Sequence, residues 1–557
     1  MVRLAEPQLT TSVQTRDGVK LATDVYLPAD GDPAPALLVR TPYGRRRCES
    51  VVFAHPSWYA DRGYAVVFQD VRGCGDSEGS FVPFSTEGDD GFDTVEWLAG
   101  QAWCDGRVGM YGFSYPGAAQ LLAAAAHPPH LAAVAPAMTA SDYRRRWVYE
   151  SGALRLGFIL WWACELAKDA AVRAGDVEAL YELWALQRDP ADMYWRYSMA
   201  ETVPEVLSRH APYLADWLRH REDEGYWHRL AAADGLREAD VVGLHLAGWY
   251  DTFLEGTLET YRLMAAAARA PQYLIVGPWQ HIPWGRRAGE RDFGGEAASA
   301  VDEIQLRFFD AALKGREQPM AEYESAPVRI FAMGSDRWLT LGAWPPEAAQ
   351  TERFLTSEGR ANSESGDGRL AEASGERPMV DRYVVDPWNP VRSSGGWGCC
   401  DPLAGLMGPS DRSQEQQRPD LLVFDSDELT RDLVVVGTPV LTIEFSCDLP
   451  TTDLVVRLVD VHPDGRAYSV SEGFVRIPEP SRNRLVEVRL SPVAVALREG
   501  HVMRLEISGN DYPARELNLQ VPPSQSEASL ADAMAGTHVI HHGGTSGSRL
   551  TLPLLDA

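Results

Sequence analysis

Hydrophobic positions in the first 140 residues form short apolar runs, separated by stretches with helical spacing. The runs fall at residues 36–40, 64–68, 108–111 and 131–134, and a helical stretch lies at 91–99. Strands that alternate with helices in this way favour a mostly parallel sheet with helices on both faces. We therefore expect an α/β fold at the start of the chain.

The pattern changes twice further along. Residues 141–240 are rich in Trp, Leu, Ala, Arg and Glu at helical spacing, and apolar runs at 241–247 and 272–276 then resume the sheet pattern. Beyond about residue 351, short alternating strands with little helical periodicity indicate a jelly-roll β-sandwich. The prediction is a sheet domain formed by 1–140 and 241–350, a helical cap insertion at 141–240, and a β-sandwich domain at 351–557.

Composition narrows the class of protein. The 557 residues exceed what one hydrophobic core usually holds, and 45% hydrophobic with 24% charged residues is ordinary for a globular protein. A formal net charge of −27 argues against nucleic acid and membrane surfaces as partners. The first residues lack the apolar segment of a signal peptide, and the apolar runs are shorter than a membrane span.

The seven cysteines are odd in number and scattered. This spacing predicts seven thiols, including the neighbours Cys399 and Cys400, and with the N-terminal sequence it predicts a cytoplasmic protein. The cysteines and histidines do not have the spacing of zinc ligands, so we expect no metal site.

The segment GFSYPG carries the clearest chemical signal. The apolar run at 108–111 leads into Gly112, Ser114 and Pro116, and an Ala/Leu-rich helical stretch follows. A serine on a sharp strand-to-helix turn is the nucleophile elbow of α/β-hydrolases. The usual elbow is G-x-S-x-G, whereas here proline takes the fifth position and glycine the sixth. We predict that Ser114 is a nucleophile.

The base and the acid that such a serine needs follow in the expected chain order. Asp251 comes just after the run at 241–247, and His281 just after the run at 272–276. Polar residues past strand ends lie at the edge where open α/β sheets bind ligands. The sequence thus predicts a triad of Ser114, Asp251 and His281.

An oxyanion hole needs two hydrogen-bond donors. The backbone N–H of Tyr115, next after the nucleophile, is one. The loop after the run at 36–40 reads TPYG, and the phenol of Tyr43 can be the other. Aromatic residues near this edge are candidates for the walls of an acyl pocket: Phe113, Trp161, Trp162 and Trp249. Trp249 is predicted there because it lies two residues before Asp251.

These motifs together resemble the cocaine-esterase and X-prolyl dipeptidyl-peptidase family of acyl hydrolases. The matching pieces occur in the family's order: RTPYG, QDVRGCGDSEG, GFSYPG, GWYDTF, GPWQH and FFDAALKG. The resemblance implies an α/β-hydrolase fold with a helical cap and a jelly-roll domain. It also implies the roles given above to Ser114, Asp251, His281 and Tyr43, and it is compatible with a homodimer.

The expected activity is hydrolysis of carboxylic esters, with a bulky or aromatic acyl group, through an acyl-enzyme and without a metal or organic cofactor. α-Amino ester hydrolases of this family carry extra acids just after the catalytic aspartate. Here Thr252, Phe253 and Leu254 follow Asp251, and Glu255 comes only after them. Alternatives are amide hydrolysis by an X-prolyl dipeptidyl peptidase or a β-lactam side-chain acylase, transacylation, and an inert protein that binds ligands through its jelly-roll domain.

Overall fold

The computed structural model describes residues 6–29, 31–48, 50–199, 203–316, 326–400, 407–479, 484–522 and 528–555. The strands within these residues, β1 to β27 in chain order, are Leu9–Gln14, Lys20–Tyr26, Ala34–Thr41, Ala65–Asp70, Cys104–Phe113, Leu131–Ala137, Tyr149–Glu150, Ala153–Leu154, Val242–Tyr250, Gln272–Gln280, Arg287–Ala288, Arg291–Asp292, Val328–Ala332, Arg337–Leu341, Ala349–Thr356, Arg369–Ala371, Met379–Val385, Leu422–Glu428, Leu433–Gly437, Val440–Cys447, Thr451–Val461, Ala467–Pro478, Arg484–Arg489, Val493–Leu497, Val502–Ser508, Gly536–His542 and Arg549–Leu554. The helices, α1 to α12, are Pro56–Ala60, Glu87–Ala99, Tyr115–Ala125, Leu156–Ala174, Val177–Arg188, Pro190–Met199, Glu205–His210, Tyr213–Arg219, Glu224–Leu230, Ala233–Leu236, Leu254–Ala267 and Val301–Lys314.

The first sheet has ten strands in the order β1-β2-β4-β3-β5-β6-β9-β10-β13-β14. Its seven central strands, from β4 to β13, run parallel, and the outer strands β1, β2 and β14 are antiparallel to their neighbours. Every residue of β3 is buried, as expected where both faces of a parallel sheet are covered. This is the α/β-hydrolase architecture that the sequence predicted.

Two cores lie on opposite faces of this sheet. Adjacent strand residues point in opposite directions, so Met110 of β5 packs in one core and Tyr111 in the other. Helices α2 and α3 contribute Val95 and Leu121 to the Met110 core. Phe309 of α12 packs in the Tyr111 core. β5 is therefore packed on both faces, and it ends one residue before Ser114.

Helices α4 to α10 lie in the chain between the short strand β8 and the sheet strand β9. Their apolar residues, such as Trp162 and Trp217, join the same core as α2 and α3. The helical stretch therefore packs over one side of the sheet rather than forming a separate core.

Thirteen strands from β15 to β27 form the second β-structure. Burial alternates residue by residue along β20, as in a strand with one face in the core and one outside. By contrast, ten of the eleven residues of β21 are buried. The C-terminal part is a β-sandwich, in agreement with the predicted fold class. Within the described ranges, every helix is too short or too polar to cross a lipid bilayer.

Candidate active site

Ser114 stands between β5 and α3 in a strained backbone conformation. Its φ is +62° and its ψ is −127°, a region that non-glycine residues rarely adopt. The Ser114 N–H donates to the Ala137 carbonyl at 2.9 Å, which fixes the turn to β6. Backbone strain of this kind persists only where surrounding structure enforces it, and it is typical of functional sites. The elbow predicted around Ser114 is present.

Small residues make this turn sterically feasible. Gly112 has a φ of +138°, and a Cβ built there would lie 2.6 Å from Pro116 Cβ.

Gln120 adds support that the sequence did not signal. Its Nε2 donates to the Gly112 and Pro116 carbonyls, both at 3.1 Å, and its Oε1 accepts from Ala135 N–H at 3.0 Å. One buried amide thus ties the elbow, the helix and β6 together.

Asp251 and His281 meet because the strands that precede them are neighbours. β9 and β10 are parallel, and Tyr250 pairs with Gln280, so the two next residues lie at the same sheet edge. Asp251 Oδ1 lies 2.7 Å from His281 Nδ1, and Asp251 Oδ2 accepts from Phe253 N–H at 3.0 Å. The carboxylate thereby fixes the imidazole orientation and places the proton on Nδ1.

Tyr43 lies in the loop after β3, with its hydroxyl directed at Ser114. The hydroxyl accepts from Trp162 Nε1 at 2.9 Å, and the Ser114 side chain lies close enough to influence the pKa of the phenol. Burial raises the pKa of Tyr43 well above its usual range, although Trp162 and Ser114 both act to lower it. The phenol therefore keeps its proton at neutral pH and can donate a hydrogen bond to a developing oxyanion.

Ion pairs hold the Tyr43 loop in place. The Arg45 guanidinium contacts Asp70 at 2.6 Å and Asp76 at 2.7 Å. Asp76 belongs to the QDVRGCGDSEG motif, so this motif supports the loop that carries Tyr43. Arg72 of the same motif pairs instead with Asp17 and Asp90.

Tyr115 contributes differently through its backbone and its side chain. Its N–H lies in the first turn of α3, where helix geometry provides no partner within the helix. The phenol is buried, donates to Glu87 Oε1 at 2.9 Å and accepts from Phe84 N–H at 3.1 Å. The Tyr115 phenol is thus already engaged, and Tyr115 can serve the oxyanion hole only through its backbone N–H.

A largely apolar cavity of about 320 Å³ opens beside Ser114, and we call it the Ser114 cavity. Its walls come mainly from residues 39–53, 111–116, 158–165, 281–282 and 399–400. Ser114, His281 and Tyr43 all line it, as do three predicted wall residues, Phe113, Trp161 and Trp162. The structure therefore brings the predicted nucleophile, base, oxyanion donor and three aromatic residues to one cavity.

The expectation for Trp249 is corrected. Its indole lies outside the Ser114 cavity as the described residues define it, is 1% exposed and donates to the Phe331 carbonyl at 2.7 Å. It packs against Trp344 in the core shared with the β-sandwich. Trp249 is still part of β9, so alternation along the strand directs its side chain into that core.

Several residues of the cavity wall were missed, and the prediction about two of them, Cys399 and Cys400, is wrong. Cys399 and Cys400 line the Ser114 cavity and form a disulfide with each other, whereas the sequence predicted seven thiols. The expectation of a cytoplasmic location accordingly loses its cysteine argument. Val52 and Phe53 were also missed, since they follow Tyr43 in an irregular loop without a periodic pattern.

Comparison with known proteins agrees with this geometry. The family described as X-Pro dipeptidyl-peptidase (S15 family) matches residues 17–283, and the X-Pro dipeptidyl-peptidase C-terminal non-catalytic domain matches residues 323–551. Cocaine esterase of Rhodococcus sp. (strain MB1 Bresler) is 32% identical over 567 aligned residues, which cover 98% of this chain and 97% of the relative. The chain belongs to the cocaine esterase family. It is a serine hydrolase.

Solved structures share the whole fold. An aminopeptidase from a marine sediment archaeon, Thaumarchaeota archaeon, superposes with a TM-score of 0.81 at 21% identity, covering 99% of this chain and 97% of its own. An α-amino acid ester hydrolase superposes with a TM-score of 0.78 at 22% identity, covering 98% and 96%. Identities this low establish the common architecture and leave substrate preference to the site itself.

Proposed function

We propose that the protein hydrolyses carboxylic esters through an acyl-enzyme formed on Ser114. The observation that carries the proposal is the contact of 2.7 Å between Asp251 and His281, beside a cavity that Ser114 also lines at a strained elbow. A nucleophile, a base and an orienting acid on one sheet edge are the requirements of acyl transfer by a serine hydrolase.

The proposed mechanism assigns one role to each group. His281 accepts the proton of Ser114 as the hydroxyl oxygen attacks the ester carbonyl, and Asp251 stabilises the imidazolium. The Tyr43 hydroxyl and the Tyr115 N–H donate to the oxyanion. His281 then protonates the leaving alcohol, and a water molecule repeats the sequence to release the acid.

The Ser114 cavity supports a bulky, aromatic acyl group. Phe53, Phe113 and Trp162 contribute aromatic surface to a space of about 320 Å³, which suits a ring rather than a short aliphatic chain. The relative at 32% identity is named cocaine esterase, and this similarity favours an ester over an amide as the bond that is cleaved.

A substrate with a free α-amino group fits this site less well. Glu255, the acid nearest after Asp251 in the chain, is held by the Arg146 guanidinium. Its negative charge is already compensated, so it offers little attraction to a substrate ammonium. We therefore place aminoacyl amides second to esters, and homodimerisation and a cytoplasmic location stay predictions of the sequence.

The first test compares p-nitrophenyl esters of graded acyl size with aminoacyl-prolyl p-nitroanilides. We expect cleavage of aromatic and bulky esters, loss of that cleavage in Ser114→Ala, and little cleavage of the anilides. Ser208→Ala is the matched control, because Ser208 is exposed on a helix away from the Ser114 cavity. Efficient cleavage of the anilides would contradict the ester proposal and indicate a peptidase instead.

Labelling by a fluorophosphonate separates substrate choice from loss of the nucleophile. We expect mass spectrometry to find the adduct on Ser114 in the native protein and to find none in Ser114→Ala. A native protein that stays unlabelled would support the alternative of an inert hydrolase domain.

A further inference from the structure

The disulfide partners Cys399 and Cys400 form part of the wall of the Ser114 cavity, beside His281. One ligand atom from each of Cys399, Cys400 and His281 lies within 4.8 Å of the other two. Cys399 is 2% exposed and Cys400 is half-buried. Two sulfurs and an imidazole nitrogen therefore converge inside an apolar cavity, and the mechanism proposed above uses only the imidazole.

This combination of ligands has a definite metal preference. Thiolates and imidazole bind Zn²⁺ and the still softer Cd²⁺, whereas Mg²⁺ and Ca²⁺ require oxygen ligands. His281 Nδ1 is engaged by Asp251, so Nε2 is the ring nitrogen that can bind an ion. A carboxylate on the other ring nitrogen is the usual support of a metal-binding histidine, because it orients the ring and makes it more basic.

The disulfide must open before the sulfurs can bind a cation. A dithiol reductant supplies two electrons and two protons: the Cys399–Cys400 bond breaks, each cysteine becomes a thiol, and the reductant's own sulfurs become joined. A divalent cation then displaces the two thiol protons and forms two metal–sulfur bonds. Buffer accepts those protons, so the sequence needs no other reactant.

We propose that reduced Cys399 and Cys400, together with His281, form a binding site for a thiophilic divalent cation of the Zn²⁺ or Cd²⁺ type inside the Ser114 cavity. Three protein ligands leave the fourth tetrahedral position to water or solute. A bound cation occupies the lone pair of His281 Nε2 and fills space beside Ser114. The reduced protein is therefore inhibited by the cation, and the oxidised protein is not. The inhibition rests on the proposed function, whereas the binding does not.

A second cluster in the described residues shows why the first is the better site. Asp460, His462 and His501 also bring their ligand atoms within 4.8 Å of one another. However, the Arg291 guanidinium lies 2.9 Å from His462 Nε2, and the Asp460 carboxylate already contacts both histidines. A fixed cation beside the ligands repels a second one. His462→Ala is accordingly a suitable control.

The binding test uses Cd²⁺ on the full-length protein, before and after treatment with a dithiol that is then removed by gel filtration. Thiol titration of the denatured protein is expected to rise from five to seven groups on reduction, because five cysteines lie outside the disulfide. Reduction is expected to create one tight Cd²⁺ site, seen as a cadmium–thiolate absorption band and as one additional metal ion per chain.

Variants locate the site. Cys399→Ser and Cys400→Ser are each expected to weaken Cd²⁺ binding by about a hundredfold or more, since even outer-shell substitutions reduce metal affinity by about tenfold to a hundredfold. Cys447→Ser and His462→Ala are expected to bind Cd²⁺ as the parent protein does. Cys447 is a matched control because it is a buried cysteine of β20, in the β-sandwich.

Inhibition is then measured with the best p-nitrophenyl ester, each protein being compared with its own rate without metal. One equivalent of Cd²⁺ is expected to abolish the activity of the reduced protein, and a chelator is expected to restore it. Equal Cd²⁺ binding by the oxidised and reduced proteins, or unchanged binding by Cys399→Ser and Cys400→Ser, would overturn the proposal. An inactive parent protein that still gains the cadmium–thiolate band would contradict the proposed function alone.

Discussion

The Tyr43 hydroxyl accepts a hydrogen bond from the indole of Trp162 and lies close to the Ser114 side chain. Tyr43→Phe removes the phenol while keeping the ring. We expect kcat to fall by about a hundredfold to a thousandfold, the usual effect of losing one oxyanion donor, with KM little changed. Steady-state kinetics on a p-nitrophenyl ester measures both constants, and a donor used only in the transition state affects kcat alone.

Two other variants separate this role from a structural one. Trp162→Phe removes the other end of the same hydrogen bond but keeps the phenol, so kcat is expected to fall much less than in Tyr43→Phe. Tyr181→Phe changes a tyrosine that is 75% exposed and should match the parent protein. Equal losses of kcat in Tyr43→Phe and Trp162→Phe would indicate that the hydrogen bond between Trp162 and Tyr43 only positions the wall of the Ser114 cavity.

A site residue could be predicted from the sequence where it lies immediately after a strand. Ser114, Asp251 and His281 each follow an apolar run, so the strand pattern, together with the GFSYPG motif, predicted that they lie at one edge of the sheet. Trp249 and Cys399 depend instead on side-chain direction and on a distant loop. Trp249 was predicted to line the acyl site, but β9 continues through Tyr250 and directs the indole into the other core. No local pattern connects Cys399 to a histidine more than a hundred residues earlier.

At the scale of an element, the junction of β5 and α3 depends on Gly112. Gly112→Ala adds a methyl group 2.6 Å from Pro116 Cβ at a φ of +138°. Strained backbone of this kind costs about 1–3 kcal/mol, and the contact with Pro116 adds to it. We expect the free energy of unfolding to fall by at least about 2 kcal/mol in a denaturant titration, and fluorophosphonate labelling of Ser114 to slow.

Gly100 provides the matched control for this substitution. It ends α2 at a φ of −83°, and the nearest atom to a built Cβ lies at 3.6 Å. Gly100→Ala is therefore expected to change stability by less than about 1 kcal/mol and to label normally. If Gly112→Ala matched it in both measurements, the elbow would not depend on close packing at Gly112.

Elements were predicted in type more reliably than in extent. The sheet strands predicted at 241–247 and 272–276 are present but run to Tyr250 and Gln280. The apolar runs end just before the glycines at 248 and 277, yet these two residues pair with each other across the parallel strands. Pairing with a neighbouring strand is a tertiary effect that no local pattern contains. The domain boundaries at 140, 240 and 350 stay predictions for the same reason.

At the scale of the whole molecule, charged residues distant in sequence join the cap helices to the β-sandwich. Glu516 contacts Arg221, which follows α8, at 2.7 Å, and Arg476 of β22 at 2.8 Å. The Glu516 N–H also donates to the Leu154 carbonyl at 2.9 Å.

Arg515, next to Glu516 in the chain, pairs with Glu150 and Glu472. The formal charge of −27 gave no hint of these pairs, because they depend on which residues the fold brings together.

Because of these ion pairs, we expect the free energy of unfolding to fall at acidic pH. Burial alone would raise the pKa of Glu516, but Arg221 and Arg476 outweigh it and hold the pKa at about 2. A carboxyl whose folded pKa lies below its unfolded value of about 4.3 stabilises the protein above that value, and the gain is lost as pH falls towards 2. The shift corresponds to about 3 kcal/mol at neutral pH. Burial lowers the pKa of His538 to about 3. A separate loss in the free energy of unfolding therefore begins as pH falls below about 6.5.

Glu516→Gln tests this linkage. The variant leaves the partly buried Arg221 and Arg476 beside a neutral amide, so its free energy of unfolding at pH 7 is expected to fall by about 3 kcal/mol or more. Between pH 5 and about 2 its stability should then depend less on pH than that of the parent protein, whereas the part due to His538 should persist. Denaturant titrations across this pH range measure both effects, with the exposed Glu499→Gln as control. Parallel pH profiles for Glu516→Gln and the parent would mean that Glu516 carries no linked proton, and the contact between the cap and the β-sandwich would then depend on apolar packing rather than on this charge.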